Sequence, residues 1–309
     1  MADATVRKQL GEWQLQRCLG HSHCSEVYLA THRSEFDGTT QSYVVKVATP
    51  HASKWSRLTL RQERRVLSKL AHPNIVSLLG SGTEKGVDFL VLPYLDGVLA
   101  PGGSQPRIAP AQYGRLAWIT RQMVSGLRAI HEEGWCHGDL KPDHLSIDRH
   151  FHVTLLDFGM ALPLFQRTSD MFSDWIESEA VDDAKCSDVP VWGSPVYMPP
   201  EAFLKNALIE PSRDVYSLGC MLYLWITGQR PFYAKSLSDW KKSHLSQRPK
   251  HPQAWVPELP DQIAKILMDM LAKHPSRRPG LSEIEEAFGR LEVESFGDWL
   301  PAETVGRVA

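Results

Sequence analysis

Long apolar runs are missing from this 309-residue chain. None approaches the roughly 20 residues that cross a bilayer, and Met1 to Leu10 lacks the apolar centre of a secretory leader. Cysteine is sparse. The five present, Cys18, Cys24, Cys136, Cys186 and Cys220, are odd in number, far apart and without a CxxC pair. That excludes the usual zinc and dithiol motifs and suits a reducing, cytoplasmic setting. An excess of one charge is lacking too: 34 basic and 36 acidic residues leave a formal charge of -2. No surface for nucleic acid or an anionic membrane is expected. No internal repeat is found.

What remains is an ordinary globular composition, 42% hydrophobic and 23% charged, at a length that suits two compact units. Strands are predicted at Trp13 to Leu19, Val27 to Thr31, Tyr43 to Val47 and Phe89 to Leu92, with a polar turn, Gly20 to Glu26, between the first two. Arg57 to Leu70 has helical period, with Leu60, Leu67 and Leu70 on one face. Glu63 shares that face. A lone buried carboxylate is costly, so a cationic partner inside the protein is expected.

Asp96-Gly97 and the Pro/Gly-rich stretch from Ala100 to Pro110 mark the boundary between lobes. Beyond it the period is helical at Ile119, Met123, Leu127 and Ile130. Val215 to Ile226 is apolar nearly all round, which predicts a buried helix that Gly228 ends. Further helices are predicted at Asp261 to Leu271 and Ser282 to Leu291, the second with Ser282 and Glu285 at capping-box spacing. The expected fold class is α+β, a small antiparallel-sheet lobe with one helix followed by a larger helical lobe.

Phosphoryl transfer asks for a cation on the phosphates, metal to neutralise their charge and a carboxylate to orient the hydroxyl nucleophile. Lys46, in a predicted strand, can meet Glu63. His137-Gly138-Asp139-Leu140-Lys141-Pro142-Asp143-His144 resembles the catalytic loop of eukaryotic-type protein kinases, and Asp157-Phe158-Gly159 their metal-binding motif. The resemblance continues, in family order, through Gly193-Ser194-Pro195, Pro199-Pro200-Glu201, Asp214 to Gly219 and Arg277-Arg278-Pro279. It covers about residues 12–291.

The resemblance implies a bilobal protein-kinase-like fold, with an N-lobe at 12–95 and a C-lobe at 96–291 between an extension at 1–11 and a tail at 292–309. It implies ATP-dependent transfer to Ser or Thr of protein substrates, with Mg or Mn as metal and neither nucleic acid nor membrane as partner. Asp139 would orient the hydroxyl and Lys141 contact the γ-phosphate. Asp157 would chelate metal, with His144 at the second-metal position. Lys46 would hold the α- and β-phosphates and pair with Glu63. Leu19, Gly20, Ser22, Val27, Val44 and Leu145 would surround the nucleotide. The hinge would be Leu92-Pro93-Tyr94-Leu95: Leu92 the gatekeeper, Pro93 offering its carbonyl and Leu95 its amide. Lys141 and Ser194 match the serine/threonine pattern. Glu201 and Arg278 match a buried ion pair, and Leu67, Leu78, His137 and Phe158, resting on Asp214, a stack that aligns the lobes.

Departures matter as much. Gly20-His21-Ser22-His23-Cys24-Ser25 keeps one of three phosphate-loop glycines, Val44 replaces a small alanine, and His144 replaces an asparagine. Imidazole suits Mn or Zn better than hard Mg. Three readings stay open: a kinase with weakened or Mn-favouring metal use, a nucleotide-binding pseudokinase acting as a scaffold, and an active enzyme in which water or Asp143 substitutes. A small-molecule phosphotransferase is a further rival. Gly138 stands where many kinases carry an arginine for a phosphorylated loop, so activity independent of loop phosphorylation is expected. Arg167 to Pro190 holds seven carboxylates and two basic residues. Thr168, Ser169, Ser173, Ser178 and Ser187 in or near it are candidate autophosphorylation sites.

Overall fold

The computed structural model describes residues 8–22, 24–33, 41–48, 54–100, 109, 112–170 and 193–295. His23, Cys186, Ser173, Ser178, Ser187 and most of the acidic run lie outside them. The chain divides into two compact units, one reaching to Asp96 and joined by Leu156–Ala161, the other formed by Gly97–Leu155 and the chain from Leu162 onward.

The first unit is an antiparallel sheet with one helix, α1 (Lys54–Leu67). Its strands are β1 (Lys8–Leu10), β2 (Trp13–His21), β3 (Ser25–His32), β4 (Tyr43–Ala48), β5 (Gly80–Glu84) and β6 (Val87–Pro93), in the order β1-β2-β3-β4-β6-β5. The two-residue period of β4 sorts its side chains. Val45 and Val47 join Leu10, Leu15, Ala30 and Val91 in the core of one face. Ala48 packs with Leu60 of α1 and Leu90 on the other. Lys46 shares that second face, opposite Val27 and Leu90 in register, while Val44 lies opposite Leu29 and Leu92.

Two strands of this unit were not legible in the sequence. β1 is three residues long and lies within the segment expected as an extension. β5 reads Gly-Ser-Gly-Thr-Glu, a turn composition. Gly82 belongs there because a Cβ would come within 2.7 Å of the Phe89 ring. Helix α1 ends at Leu67 rather than Leu70, the chain continuing in tight turns that still bury Leu70.

The second unit is mostly helical: α2 (Tyr113–Glu132), α3 (Ser212–Thr227), α4 (Leu237–Ser246), α5 (Asp261–Met270) and α6 (Leu281–Glu294). Two small antiparallel sheets accompany them. One joins β7 (Gly97–Leu99), β9 (Leu145–Asp148) and β10 (Val153–Leu155), the other β8 (Trp135–Cys136) and β11 (Leu162–Pro163). Helix α3 is buried from Arg213 to Thr227, and Gly228 stops it at φ 69°, donating its N–H to Leu224 O at 2.8 Å. Helix α6 starts earlier than its predicted cap: the Glu283 carboxylate accepts the Gly280 N–H at 2.9 Å, and the helix runs into the expected tail. Because β7 pairs with β9, the division falls at Asp96/Gly97 and not within Ala100 to Pro110. Among the described residues no helix is long and apolar enough to cross a membrane.

Candidate active site

In the first unit two carboxylates converge on Lys46. Its Nζ lies 2.7 Å from Glu63 Oε2 on α1 and 3.0 Å from Asp157 Oδ1. The cationic partner expected for Glu63 is therefore present. Burial opposes the Lys46 charge, but the carboxylates of Asp157 and Glu63 outweigh it and hold the ammonium above its usual pKa. Burial likewise pushes the Glu63 carboxyl upward, against the pull of Lys46.

Helix α1 also grips the chain around Asp157. Gln62 Nε2 donates to Ala161 O at 2.9 Å, and the Phe158 N–H reaches toward Glu63 Oε1 at 3.4 Å. A Cβ on Gly159 would stand 3.3 Å from both Cβ and O of Thr59, so the third motif position suits glycine by close approach. Asp157 itself has φ 59°, a left-handed backbone that Asp tolerates better than most residues. Sequence reasoning missed Gln62 and Thr59. Their only signal is their place on the same helix as Glu63.

The other nucleotide-side candidates sit as follows. Leu92 is buried, Val27, Val44, Pro93 and Leu95 are half-buried, and Leu19 is 39% exposed near the end of β2. Pro93 closes β6 opposite Tyr43, where its missing N–H breaks nothing in the strand. Gly20 has open space where a Cβ would go. The exposed Ser22 hydroxyl accepts the backbone N–H groups of Cys24 and Ser25 at 3.2 and 3.1 Å, occupying amides that a glycine loop would offer to phosphate.

In the second unit Asp139 is held on both carboxylate oxygens. The Ser194 N–H donates to Oδ1 at 2.7 Å and Lys141 Nζ to Oδ2 at 2.9 Å, while Lys141 also donates to Ser194 Oγ at 2.9 Å. Gly193 permits this approach. It has φ 112°, and a Cβ there would meet Gly138 O at 3.0 Å. Beneath the loop, Asp214 on α3 accepts the N–H groups of His137 at 2.8 Å and Gly138 at 3.1 Å, and lies 2.8 Å from His131 Nε2. Burial would raise its pKa, but the His131 ring and His137 prevail and bring it down to about 2. Glu201 and Arg278 form the anticipated bidentate pair, both contacts at 2.7 Å. Leu145 is fully buried at the start of β9.

His144 Nδ1 lies 2.9 Å from the Asp139 carbonyl oxygen, and 3.6 Å from Asp139 Oδ2. A carbonyl only accepts, so Nδ1 carries a proton. This is how metal-binding histidines are commonly oriented. Among the described residues no three His, Cys, Asp or Glu side chains gather into a metal cage. Magnesium in such sites takes one or two protein ligands and completes its shell with phosphate and water. The Asp157 carboxylate of the first unit and the His144 imidazole of the second are each of a chemical type that ligates divalent ions of borderline softness.

A strand lysine paired with a helix glutamate in a sheet-rich unit, and a loop aspartate gripped by lysine and serine in a helical one, define a protein kinase fold. Residues 13–288 match the family model of the protein kinase domain, and the chain belongs to that family. It is 27% identical over 283 residues to "Serine/threonine-protein kinase PrkC" of Bacillus subtilis (strain 168), covering 90% of this chain and 40% of that protein. It is 29% identical over 279 residues to "Serine/threonine-protein kinase PknH" of Mycobacterium tuberculosis (strain ATCC 25618 / H37Rv), covering 89% and 41%. "CBL-interacting serine/threonine-protein kinase 19" of Arabidopsis thaliana is 26% identical over 284 residues, covering 90% and 53%. The chain thus spans about two fifths of the length of these bacterial relatives. Membership implies ATP and a divalent metal.

Proposed function

We propose that this chain transfers the γ-phosphoryl group of ATP to serine or threonine hydroxyls of protein substrates. The observation that carries the reading is the Asp139 carboxylate, fixed by the Ser194 N–H and Lys141. A hydroxyl hydrogen-bonded to that carboxylate is oriented for attack. Its oxygen bonds to the γ-phosphorus as the bond to the β-phosphate oxygen breaks; ADP leaves, and the hydroxyl proton passes to Asp139. Lys141, 2.9 Å from both Asp139 and Ser194, places a cation beside the transferred group. Lys46 holds the α- and β-phosphates, and Glu63 holds Lys46. Asp157 and His144 would ligate the divalent metal, which would neutralise phosphate charge. Leu19, Gly20, Ser22, Val27, Val44, Leu92 and Leu145 surround the nucleotide, Pro93 and Leu95 serving its adenine edge. The relatives, named as serine/threonine-protein kinases, favour Ser and Thr as acceptors.

A second reading, a pseudokinase that binds nucleotide without turnover, is favoured by Ser22 occupying the loop amides. Both are tested by incubating purified protein with labelled ATP, Mg or Mn and a serine/threonine substrate protein, beside Asp139→Ala and Asp157→Ala. The kinase reading expects each control to lose about 100-fold or more of the label. Equal labelling by the controls would remove it, and nucleotide binding without labelling would establish the second reading.

A further inference from the structure

His244 lies on α4, far in sequence from any motif, yet its ring is wholly buried and both its nitrogens are engaged. Nε2 is 2.9 Å from Pro195 O and Nδ1 is 2.9 Å from the Tyr216 hydroxyl. The Pro195 carbonyl only accepts, so Nε2 carries the proton; Nδ1 then accepts from Tyr216. In the neutral ring both partners are satisfied, the Tyr216 hydroxyl donating to Nδ1. Burial keeps it neutral, pulling its pKa down to about 4. The ring is stacked by Phe203 at 5.8 Å and Trp240 at 5.6 Å, and flanked by the edges of Phe232 and Tyr216. Its direction is therefore set by packing as well as by hydrogen bonds.

The ends of this bridge differ in kind. Tyr216 belongs to the buried helix α3 and faces the Arg278 guanidinium at 4.8 Å, which is itself locked to Glu201. Pro195 directly follows Ser194, whose N–H and hydroxyl hold Asp139 and Lys141. Before Ser194 stands Gly193, a residue with little conformational preference of its own. We propose that His244 is a positioning residue for catalysis: by fixing the Pro195 carbonyl to the α3 frame, it places the Ser194 amide against Asp139. The proposal rests on the reading of Asp139 as the hydroxyl-orienting group. A histidine needed only for packing would make the same ring contacts, and a phenylalanine would replace it.

Hydrogen exchange of the full chain, read on the peptide covering 193–198, separates the two. The wild type should protect the Ser194 amide. His244→Phe keeps the ring and loses the donor, and should speed exchange there at least tenfold while leaving α3 amides unchanged. His244→Gln, whose amide nitrogen reaches as far as Nε2, should restore protection; His244→Asn, which stops at the Nδ1 position, should not. The Gln and Asn pair decides the matter if the Phe variant yields no folded protein. In parallel, kcat on a degenerate serine/threonine peptide library should fall at least tenfold in Phe and Asn and recover in Gln, with ADP affinity unchanged. Wild-type exchange at Ser194 in His244→Asn, loss of protection spread equally through α3, or Gln no better than Asn would each overturn the proposal. An inactive wild type showing the expected exchange pattern would sink the kinase reading and leave the placement by His244 standing.

Discussion

Arg278→Leu is expected to be among the most damaging single substitutions outside the catalytic loop, and its cost can be worked out. The Arg278 side chain is 0% exposed, donates two 2.7 Å bonds to Glu201, and also reaches Ala272 O at 2.9 Å and Ser212 O at 2.8 Å. Removing one partner of a buried ion pair costs about 3–5 kcal/mol, because the other charge stays buried. Each carbonyl left without its donor adds about 1 kcal/mol. The sum, about 5–7 kcal/mol, rivals the whole stability of a domain, typically about 5–15 kcal/mol. At about 2–4 °C per kcal/mol for a unit of this size, Tm should fall by roughly 10–30 °C. The double variant Glu201→Leu/Arg278→Leu removes the stranded carboxylate and should recover about half of that loss. Thermal unfolding followed by circular dichroism checks both. A single-variant fall below about 2 kcal/mol, or a double variant no more stable than the single, would refute the reasoning from a stranded charge.

Other perturbations reach the metal, the pH response and regulation. His144→Asn should raise Mg-dependent labelling and narrow any preference for Mn, read as the Mg/Mn activity ratio and as Mn affinity by paramagnetic resonance; an unchanged metal profile would contradict the role given to His144. The buried neutral His244 must take up a proton on unfolding below pH 6.5, so stability falls as pH drops from 6.5 to about 4. At about 1.4 kcal/mol per pH unit that loss is about 3 kcal/mol. Urea titrations across this window should show the slope, and His244→Gln, which cannot titrate, should flatten it. Asp214 acts lower down: its depressed carboxyl contributes stability above its ordinary value of 3.8 that is lost as pH falls toward about 2. Phosphatase treatment should leave most of the activity, since Gly138 offers no cation to a loop phosphate; complete loss would show that another cation does.

The chemistry was legible in the sequence where one residue type had a reason to be in an odd place. Glu63 on an apolar helix face demanded a cation, and Lys46 supplies it. Glu201 and Arg278 announced each other only through the family's motif order, since 77 residues separate them. Less was legible where the cause lies in three dimensions. Gln62 and Thr59 are ordinary helix residues until Ala161 and Gly159 are seen against them. Strand β5 has a turn's composition and is a strand because β6 beside it supplies hydrogen-bond partners and the Phe89 ring covers Gly82. His244 was one histidine among 13, and nothing near it in sequence signals Pro195 or Tyr216.

The two departures that make activity conditional act on different quantities. The Ser22 hydroxyl holds two backbone amides at 3.1 and 3.2 Å on an exposed loop, where each such bond is worth about 1 kcal/mol net. A nucleotide must displace about 2 kcal/mol of contacts, which corresponds to a loss of up to about 30-fold in affinity and not to loss of chemistry. His144 is tied to the reacting loop itself, its Nδ1–H resting on the carbonyl of Asp139. In the proposed mechanism, changing it alters both a metal ligand and the backbone that carries Asp139. Ser22→Gly should therefore tighten ATP binding, up to that 30-fold, and leave the Mg/Mn ratio untouched, whereas His144→Asn should move the ratio and kcat with little change in ATP affinity. Nucleotide titration by fluorescence or calorimetry, run beside the metal series, reads both. If Ser22→Gly shifted the metal ratio, or left affinity as it was, the loop amides would not be what limits nucleotide binding.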